Sequence, residues 1–426
     1  MSFFVVVIII EGCDVTVFDL RQTFINEDIT FITGDITDAA QVTRALQNMD
    51  LVIHVASPHA SCKNPSLLEK VNITGTQNII DACVANGVTK LVFTSSGSVV
   101  SDGKAHEHVD ETYPVPAEHG DVYAATKAEA ERRVLAADGT PCTNGSKSKR
   151  KAVLRTVSVR PRGIFGPGDV QFFPVLVENA KLGKTKYIIG DGENLADFTF
   201  VDNVVHGHLL AAEHIDEVGG EAFFITNDEP IKFWTFTGDI LSGFGYSRPW
   251  LKLPYGLILG IAKILFTINP KSTSTFTPAT VEIVGNHHYF DVSKAKERLQ
   301  YTPLFNMDEA VKVSLLSFPQ LYREDALEAF NLERPKRRLT TWEVQQHVST
   351  NDVWMIVDGK VHDMTTFVDM HPGGEEAFMK VAGRDASEAV RLPHHPESVW
   401  DTLNAMYLGP LEEEEEEGSE GEEKKN

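Results

Sequence analysis

Tyr123 and Lys127 are the residues whose types and spacing most directly suggest chemistry. They are four residues apart, so on a helix they share one face. A phenol has a pKa of about 10 and is a poor base at neutral pH. A neighbouring ammonium favours the phenolate, which can take the proton of an alcohol as hydride leaves. Such a pair arises by chance about once in a chain of this length, but Ser96, whose hydroxyl can hold the same oxygen, strengthens the prediction of alcohol oxidation.

Two histidines near the carboxyl end predict a different kind of site. His371 opens the turn HPGG, which is rigid at proline and free of side chains at glycine, so a flat macrocycle can lie close to the backbone. His395 follows a helical stretch and can offer a second imidazole from the opposite side. An iron held by both has no open position for dioxygen, which favours electron transfer. The alternatives are that His371 ends a loop, that His395 caps a helix, or that His394 is the ligand.

Asp19 closes the run VTVFDL, where a strand-end carboxylate can accept hydrogen bonds from both ribose hydroxyls of an adenosine. The same carboxylate would repel a 2′-phosphate, so the run predicts NAD in preference to NADP. Arg21 lies two residues further on and softens that preference. The alternative is that Asp19 is a simple turn residue.

These side chains require a scaffold in which strands alternate with helices. The β-branched runs VTVFDL, ITFITGDI, DLVIHVAS, KLVFTSS and AVLRTVSVRP predict buried strands. Between them, AAQVTRALQNM, LLEKVNITGTQNIIDACVANG and YAATKAEAERRVLAA have helical periodicity. The alternation predicts an α/β fold with a doubly wound parallel sheet, which binds ligands at the carboxyl ends of its strands.

The order of the motifs resembles the extended short-chain dehydrogenases/reductases, and among them the 3β-hydroxysteroid dehydrogenase family. The resemblance covers about residues 11–330 and rests on GDITD, HVASP, VNITGTQNII, TSSGSVV, RPRGIFGPGD and DFTFVDNVVHGHLLAA. It implies that Tyr123 is the catalytic base, that Lys127 also binds ribose, and that Ser96 orients the reacting oxygen. The cofactor-binding positions that it implies are Asp19, Asp35, Ile36, Ala56, Lys127, Pro161 and Gly163.

One feature departs from that family's pattern. Its members begin with a strand and a GxxGxxG loop that cradles the cofactor's pyrophosphate. Here MSFFVVVIII leads almost directly into GCDVTVFDL, without such a loop. We expect either an amino-terminally truncated sequence or a crippled cofactor site, and the presence of every downstream motif favours the first.

A second resemblance, to cytochrome b5, covers residues 341–411. It rests on TWEVQQH, VWMIVDGKVHDMTTFVDMHPGG, GRDASEAV and MYLGPL. It implies a small α+β domain in which His371 and His395 hold haem b. The predicted boundaries are 1–330 for the dehydrogenase-like domain, 331–340 for a linker, 341–411 for the haem domain and 412–426 for an acidic, disordered tail.

Composition limits the partners. The net charge of −22 argues against nucleic acid, which requires clustered Lys and Arg. The apolar segment 251–268 is too short and too interrupted to predict a spanning helix. It is either a buried core helix or an interfacial segment on a membrane surface. The resemblance to the 3β-hydroxysteroid dehydrogenases favours the second interpretation and implies a peripheral protein on the cytosolic face of the endoplasmic reticulum.

The family resemblances together imply a function. It is NAD-dependent oxidation of the 3β-hydroxyl of a sterol or triterpenoid, with a 4α-carboxysterol and its decarboxylation as the nearest case. The haem domain would pass electrons to a partner oxygenase that oxidises the C-4 methyl group. The alternative is a catalytically dead dehydrogenase-like scaffold that serves as a haem electron-transfer protein. A nucleotide-sugar substrate is disfavoured by the apolar segment 251–268.

Overall fold

The computed structural model describes residues 13–22, 29–143, 152–269, 276–323, 326, 339–349, 352–370, 378–391, 403 and 406–411. The predicted haem ligands His371 and His395, the neighbouring His394, most of the linker and the acidic tail lie outside the described residues. The chain divides into two compact units. The larger contains Val17–Asp19 and Gly34–Ala329, and the smaller contains Phe330–Asn426 with Gly12–Thr16 and Leu20–Thr33.

The elements up to Leu321 alternate as the sequence predicts. In chain order they are β1 (Val15–Asp19), β2 (Ile29–Thr33), α1 (Ala39–Ala45), β3 (Leu51–His54), α2 (Pro65–Leu68), a π-helix (Glu69–Gly75), α3 (Thr76–Asn86), β4 (Lys90–Thr94), a 3-10 helix (Gly97–Val100), β5 (His106–Val109), α4 (Val122–Ala136), β6 (Thr140–Pro141), β7 (Val153–Pro161), β8 (Ile164–Phe165), α5 (Phe173–Lys181), β9 (Tyr187–Ile189), β10 (Leu195–Ala196), β11 (Thr199–Phe200), α6 (Val201–Glu213), α7 (Ile215–Val218), β12 (Glu221–Ile225), β13 (Ile231–Lys232), α8 (Phe233–Gly243), β14 (Leu251–Leu253), α9 (Tyr255–Ile268), α10 (Pro278–Gly285), β15 (His288–Phe290), α11 (Ser293–Leu299), α12 (Met307–Leu316) and a 3-10 helix (Pro319–Leu321).

The central sheet has the order β12–β7–β4–β3, all parallel, with β6 added antiparallel to β7. Thr94 at the end of β4 lies opposite Val159 of β7, so the carboxyl ends of the two strands meet. The described strands β1 and β2 form a separate two-stranded sheet. The predicted α/β class with parallel strands and intervening helices is confirmed.

Buried aliphatic side chains hold this sheet to its helices. Val92, Val157 and Val159 belong to one core cluster with Ala211 of α6 and Ile215 of α7. Each fully buried valine or isoleucine contributes about 1.5–3 kcal/mol of hydrophobic stabilisation. The β-branched residues that predicted strands therefore also supply the core.

Short polar side chains set where the site-bearing helices begin. Asp121 caps α4 by accepting a hydrogen bond from the main-chain N–H of Ala124. Asp38 caps α1 in the same way. At the other end of a helix, Gly87 closes α3 with a φ of 81°, a left-handed conformation that favours glycine.

Helix α9 is exposed along most of its length. Ala262 is its one buried residue, whereas Leu257, Ile264 and Ile268 are 60%, 62% and 75% exposed. The interpretation of this segment as a buried core helix is therefore wrong. Among the described helices, α9 included, we find none with the length and apolar character needed to cross a bilayer.

The smaller unit is built on an antiparallel sheet with the order β16–β17–β18–β19. A capping box between Thr340 and Glu343 starts its first helix. Val353, Met355 and Val357 of the second strand project into an apolar core. The elements are α13 (Thr341–Gln345), β16 (Val348–Ser349), β17 (Asp352–Val357), β18 (Lys360–Asp363), a 3-10 helix (Thr365–Met370), α14 (Ser387–Val390) and β19 (Tyr407–Pro410).

Candidate active site

Ser96 lies two residues beyond the carboxyl end of β4, where the chain leaves the sheet. Its hydroxyl oxygen caps the following 3-10 helix by accepting hydrogen bonds from the main-chain N–H and the hydroxyl of Ser98. Ser57 lies just beyond the end of the neighbouring strand β3. The two serines therefore follow adjacent parallel strands, at the edge of the sheet where ligands bind.

Tyr123 stands in the first turn of α4 and is half-buried. Its phenol lies close enough to the hydroxyls of Ser96 and Ser57 for both to act on its pKa. Burial raises the pKa of the phenol, while the two serine hydroxyls and the guanidinium of Arg162 act in the opposite direction. The structure thus brings the predicted base and the predicted hydroxyl partner together.

Lys127 lies one turn further along α4 and is buried. Its ammonium donates a 2.6 Å hydrogen bond to the main-chain carbonyl of Thr94 and stands 4.2 Å from the ring centroid of Phe93. Burial lowers the pKa of the amine to about 7. The nearby carboxylate of Glu131 acts in the opposite direction, but its effect is smaller. A lysine so poised can change its charge near neutral pH.

A polar chain fixes Tyr123 from the other side of α4. Asn72, in the π-helix, accepts a 2.9 Å hydrogen bond from Ser57 and donates a 3.0 Å bond to the hydroxyl of Thr126. The hydroxyl of Thr126 in turn donates to the main-chain carbonyl of Tyr123. A π-helical turn is rare and frequently occurs at functional sites. Here it carries Asn72, whose amide links Ser57, just beyond β3, to Thr126 of α4.

A buried ion pair attaches the same helix to the sheet. Glu131 of α4 and Arg160 of β7 meet at 2.6 Å, and Ser158 donates a further hydrogen bond to the carboxylate at 2.8 Å. Burial acts to raise the pKa of Glu131, but the hydrogen bonds and the charge of Arg160, with the bond from Ser158, together outweigh it and lower the pKa. The pair fixes the direction of α4 and, with it, the position of Tyr123.

The other predicted cofactor-binding positions also lie at strand ends. Asp19 ends β1, and its carbonyl accepts a 2.8 Å bond from the N–H of Gly34. Asp35 accepts from the N–H of Thr37, and the carbonyl of Ile36 accepts from Asn78.

Ala56 lies two residues beyond the end of β3, and Pro161 is the last residue of β7. Gly163 has a φ of 55°, and a Cβ there would lie 2.8 Å from the carbonyl oxygen of Asp197. Only glycine fits this backbone.

The described donors fit the ribose and nicotinamide part of a dinucleotide. They are the buried ammonium of Lys127, the phenol of Tyr123 and the hydroxyls of Ser96 and Ser57. Among the residues that the structure describes, no GxxGxxG sequence occurs.

Two residues of the site are absent from the sequence-based prediction. Arg162 lies within RPRGIFGPGD and acts on the pKa of Tyr123, but its motif did not single it out. Ser57 has a detectable signal, since it ends DLVIHVAS as Ser96 ends KLVFTSS.

Sheet, helix and strand-end hydroxyls together define a Rossmann-like dehydrogenase architecture with a second, cytochrome b5-like unit. Residues 10–255 match the model of the 3-beta hydroxysteroid dehydrogenase/isomerase family, and residues 340–412 match that of the cytochrome b5-like heme/steroid binding domain. The chain belongs to the 3-beta hydroxysteroid dehydrogenase/isomerase family. The resemblances to that family and to cytochrome b5 are therefore confirmed.

Individual relatives agree with this placement. The chain is 42% identical to sterol-4-alpha-carboxylate 3-dehydrogenase, decarboxylating, of Mus musculus, over 74% of its length and 86% of the relative. It is 41% identical to 3beta-hydroxysteroid-dehydrogenase/decarboxylase isoform 1 of Arabidopsis thaliana, over 69% of this chain and 67% of the relative. Its fold is similar to that of an epimerase from Methanothermobacter thermautotrophicus, with a TM-score of 0.57, 21% identity, and coverage of 72% and 85%.

Proposed function

We propose that this protein oxidises the 3β-hydroxyl of a 4α-carboxysterol, or of a related triterpenoid acid, with NAD, and that the product loses carbon dioxide. The placement of the phenol of Tyr123 beside the hydroxyls of Ser96 and Ser57 supports the chemistry most directly. These groups mark one point where a substrate oxygen can meet a base and a donor. The names of the relatives support the substrate.

In the proposed reaction, Ser96 holds the substrate alcohol and Tyr123 takes its proton. Bound NAD would accept the hydride from C3. Lys127 fixes the cofactor ribose and stabilises the phenolate. The product is a ketone with a carboxylate on the next carbon. The bond to that carboxylate breaks, its electron pair enters the enolate of the ketone, and C4 is protonated as carbon dioxide departs.

Asp19 would select the cofactor. A carboxylate at the end of β1 can accept hydrogen bonds from both ribose hydroxyls and repels a 2′-phosphate. Arg21 lies beside it and leaves some use of NADP open. Asp35, Ile36 and Ala56 would line the adenosine half of the pocket, and Pro161 and Gly163 its nicotinamide half.

Helix α9 supports a membrane-surface location. Most of its apolar side chains are exposed, on a helix of 14 residues whose length suits lying in the interface. A sterol dissolved in a bilayer could then reach the site from the lipid side. We place the protein on the cytosolic face of the endoplasmic reticulum, as a peripheral protein.

The cytochrome b5-like domain would transfer electrons. Its proposed haem b ligands are His371 and His395, and a haem ligated on both faces favours electron transfer. Hydride transfer needs no one-electron carrier, so its partner would be a separate oxygenase acting on the C-4 methyl group. Deletion of residues 341–411 should leave sterol oxidation intact and weaken the oxygenase step.

The test is turnover by the full chain of a 4α-carboxy-3β-hydroxysterol with NAD. We expect NADH and carbon dioxide to form in equal amounts. Formation of NADH without carbon dioxide would show that the protein is a dehydrogenase but does not decarboxylate its product. If calorimetry detects no binding of NAD, the chain is a haem electron-transfer protein with a dead dehydrogenase scaffold, the alternative that its lack of a GxxGxxG sequence favours.

A further inference from the structure

Arg162 is held beside the reacting hydroxyls by its backbone. It directly follows Pro161, the last residue of β7, and its carbonyl accepts a 2.6 Å hydrogen bond from the hydroxyl of Thr199. A Cβ placed on Gly97 would lie 3.5 Å from the Cβ of Arg162, and Gly97 directly follows Ser96. The side chain therefore starts next to the Ser96 and Tyr123 pair.

The charge of Arg162 is poorly neutralised by the protein. Burial lowers the pKa of its guanidinium, and Asp197 and Tyr123 raise it. Yet none of the described carboxylates forms an ion pair with it. Arg160, two residues earlier, differs in being closely paired with Glu131.

Asp197 compensates this charge only in part. Its carboxylate accepts a 2.7 Å hydrogen bond from the N–H of Phe290, and burial raises its pKa to about 7. At neutral pH it is a mixture of charged and neutral forms. Arg162 therefore brings a positive charge close to Tyr123 that Asp197 offsets only in part.

We propose that Arg162 binds the carboxylate of the substrate, carried on the carbon next to the reacting alcohol. This assignment rests on the proposed function. Once the alcohol oxygen is held by Ser96 and Tyr123, a group on the adjacent carbon must lie near those residues. A guanidinium presents paired N–H donors that match the two oxygens of a carboxylate.

This arrangement would make the enzyme selective for acids before it oxidises them. A neutral sterol with the same ring system leaves the cation without a partner in a poorly hydrated site. After decarboxylation the ketone has no group for Arg162 to hold. Product release is thereby favoured over rebinding.

The test compares kcat/KM of the full chain for a 4α-carboxy-3β-hydroxysterol and for its methyl ester. In the wild type the acid should be preferred on the order of 10- to 100-fold, the range for a hydrogen bond between charged groups. Arg162→Gln should abolish most of that preference, and Arg162→Lys should retain part of it. Any effect of Arg162 on Tyr123, or on the folded fraction, acts equally on both substrates and cancels in the ratio.

Arg132→Gln is the matched control, because Arg132 pairs with Glu129 on the exposed side of α4. It should leave the preference unchanged. An acid-to-ester ratio that is the same in wild type and Arg162→Gln would overturn the assignment while leaving the proposed function intact. If the wild type oxidises neither sterol, the proposed function itself fails and the assignment falls with it.

Discussion

The ammonium of Lys127 donates a 2.6 Å hydrogen bond to the main-chain carbonyl of Thr94, the last residue of β4. Ser96 lies two residues beyond that carbonyl, and Tyr123 lies one helical turn before Lys127. A single bond thus joins the helix that bears the proposed base to the strand end that bears its partner. Lys127 has a structural role as well as a proposed catalytic one.

Burial of Lys127 should make stability depend on pH. Its folded pKa of about 7 lies below the ordinary value of 10.5. Between those values the unfolded chain binds more protons, so the free energy of unfolding should rise with pH, by up to about 1.4 kcal/mol per pH unit. Below pH 7 the cost of burying the charge is fully present.

Lys127→Met removes this dependence, because methionine has no charge to bury. We expect the variant to gain stability relative to wild type at pH 6, and to lose that advantage progressively as the pH rises from 7 toward 10.5, as measured by urea unfolding. Lys181→Met, at an exposed lysine, is the control and should follow the wild type. Parallel curves for Lys127→Met and wild type would contradict the buried charge.

Glu131 should matter far more for stability than Glu129, although both belong to α4 and both contact arginine. Glu131→Ala leaves Arg160 buried without its partner, at a cost of about 3–5 kcal/mol. Glu129→Ala breaks exposed pairs with Arg132 and Arg133, worth about 0–1 kcal/mol. Chemical denaturation measures both, and similar losses would show that the buried pair is not a special support of the helix.

Much of the larger unit could be predicted from the sequence, because its signals are local. VTVFDL, KLVFTSS and AVLRTVSVRP are β-branched runs, and each forms a strand at the expected place. The spacing of Tyr123 and Lys127 predicts a shared helical face, and both lie on α4.

The remaining features depend on contacts between distant segments. Arg162 faces Tyr123 only because β7 ends beside β4, and no local pattern reveals that meeting. The exposure of α9 is likewise a tertiary property, since the same apolar run would suit a core. Its hydrophobicity alone could not choose between the two.

Helix α9 should bind membranes through its exposed apolar side chains. Ile264→Glu and Ile268→Glu should weaken co-sedimentation with liposomes, since each removes apolar contact and adds a negative charge. Both positions are mainly exposed, so the melting temperature should change little. Leu304→Glu, at a leucine 58% exposed outside this helix, is the control. Equal binding by all three variants would remove the membrane role of α9.

The proposed haem ligands make separate spectroscopic predictions. His371→Ala and His395→Ala should each abolish the six-coordinate haem spectrum of the full chain, because each removes one axial nitrogen. His394→Ala is the neighbouring control and should retain it. Loss of the spectrum in His394→Ala but not in His395→Ala would transfer the ligand assignment to His394.

Tyr123→Phe tests the central claim most directly, because it removes one oxygen atom and retains the ring. The measurement is kcat for NADH formation from a 4α-carboxy-3β-hydroxysterol, beside binding of NAD by calorimetry. Loss of the base should lower kcat by about 100- to 10,000-fold while NAD still binds. Tyr113→Phe, which loses only a hydrogen bond to Asp102, should turn over at the wild-type rate. Wild-type kcat in Tyr123→Phe would contradict the assignment of Tyr123 as the catalytic base.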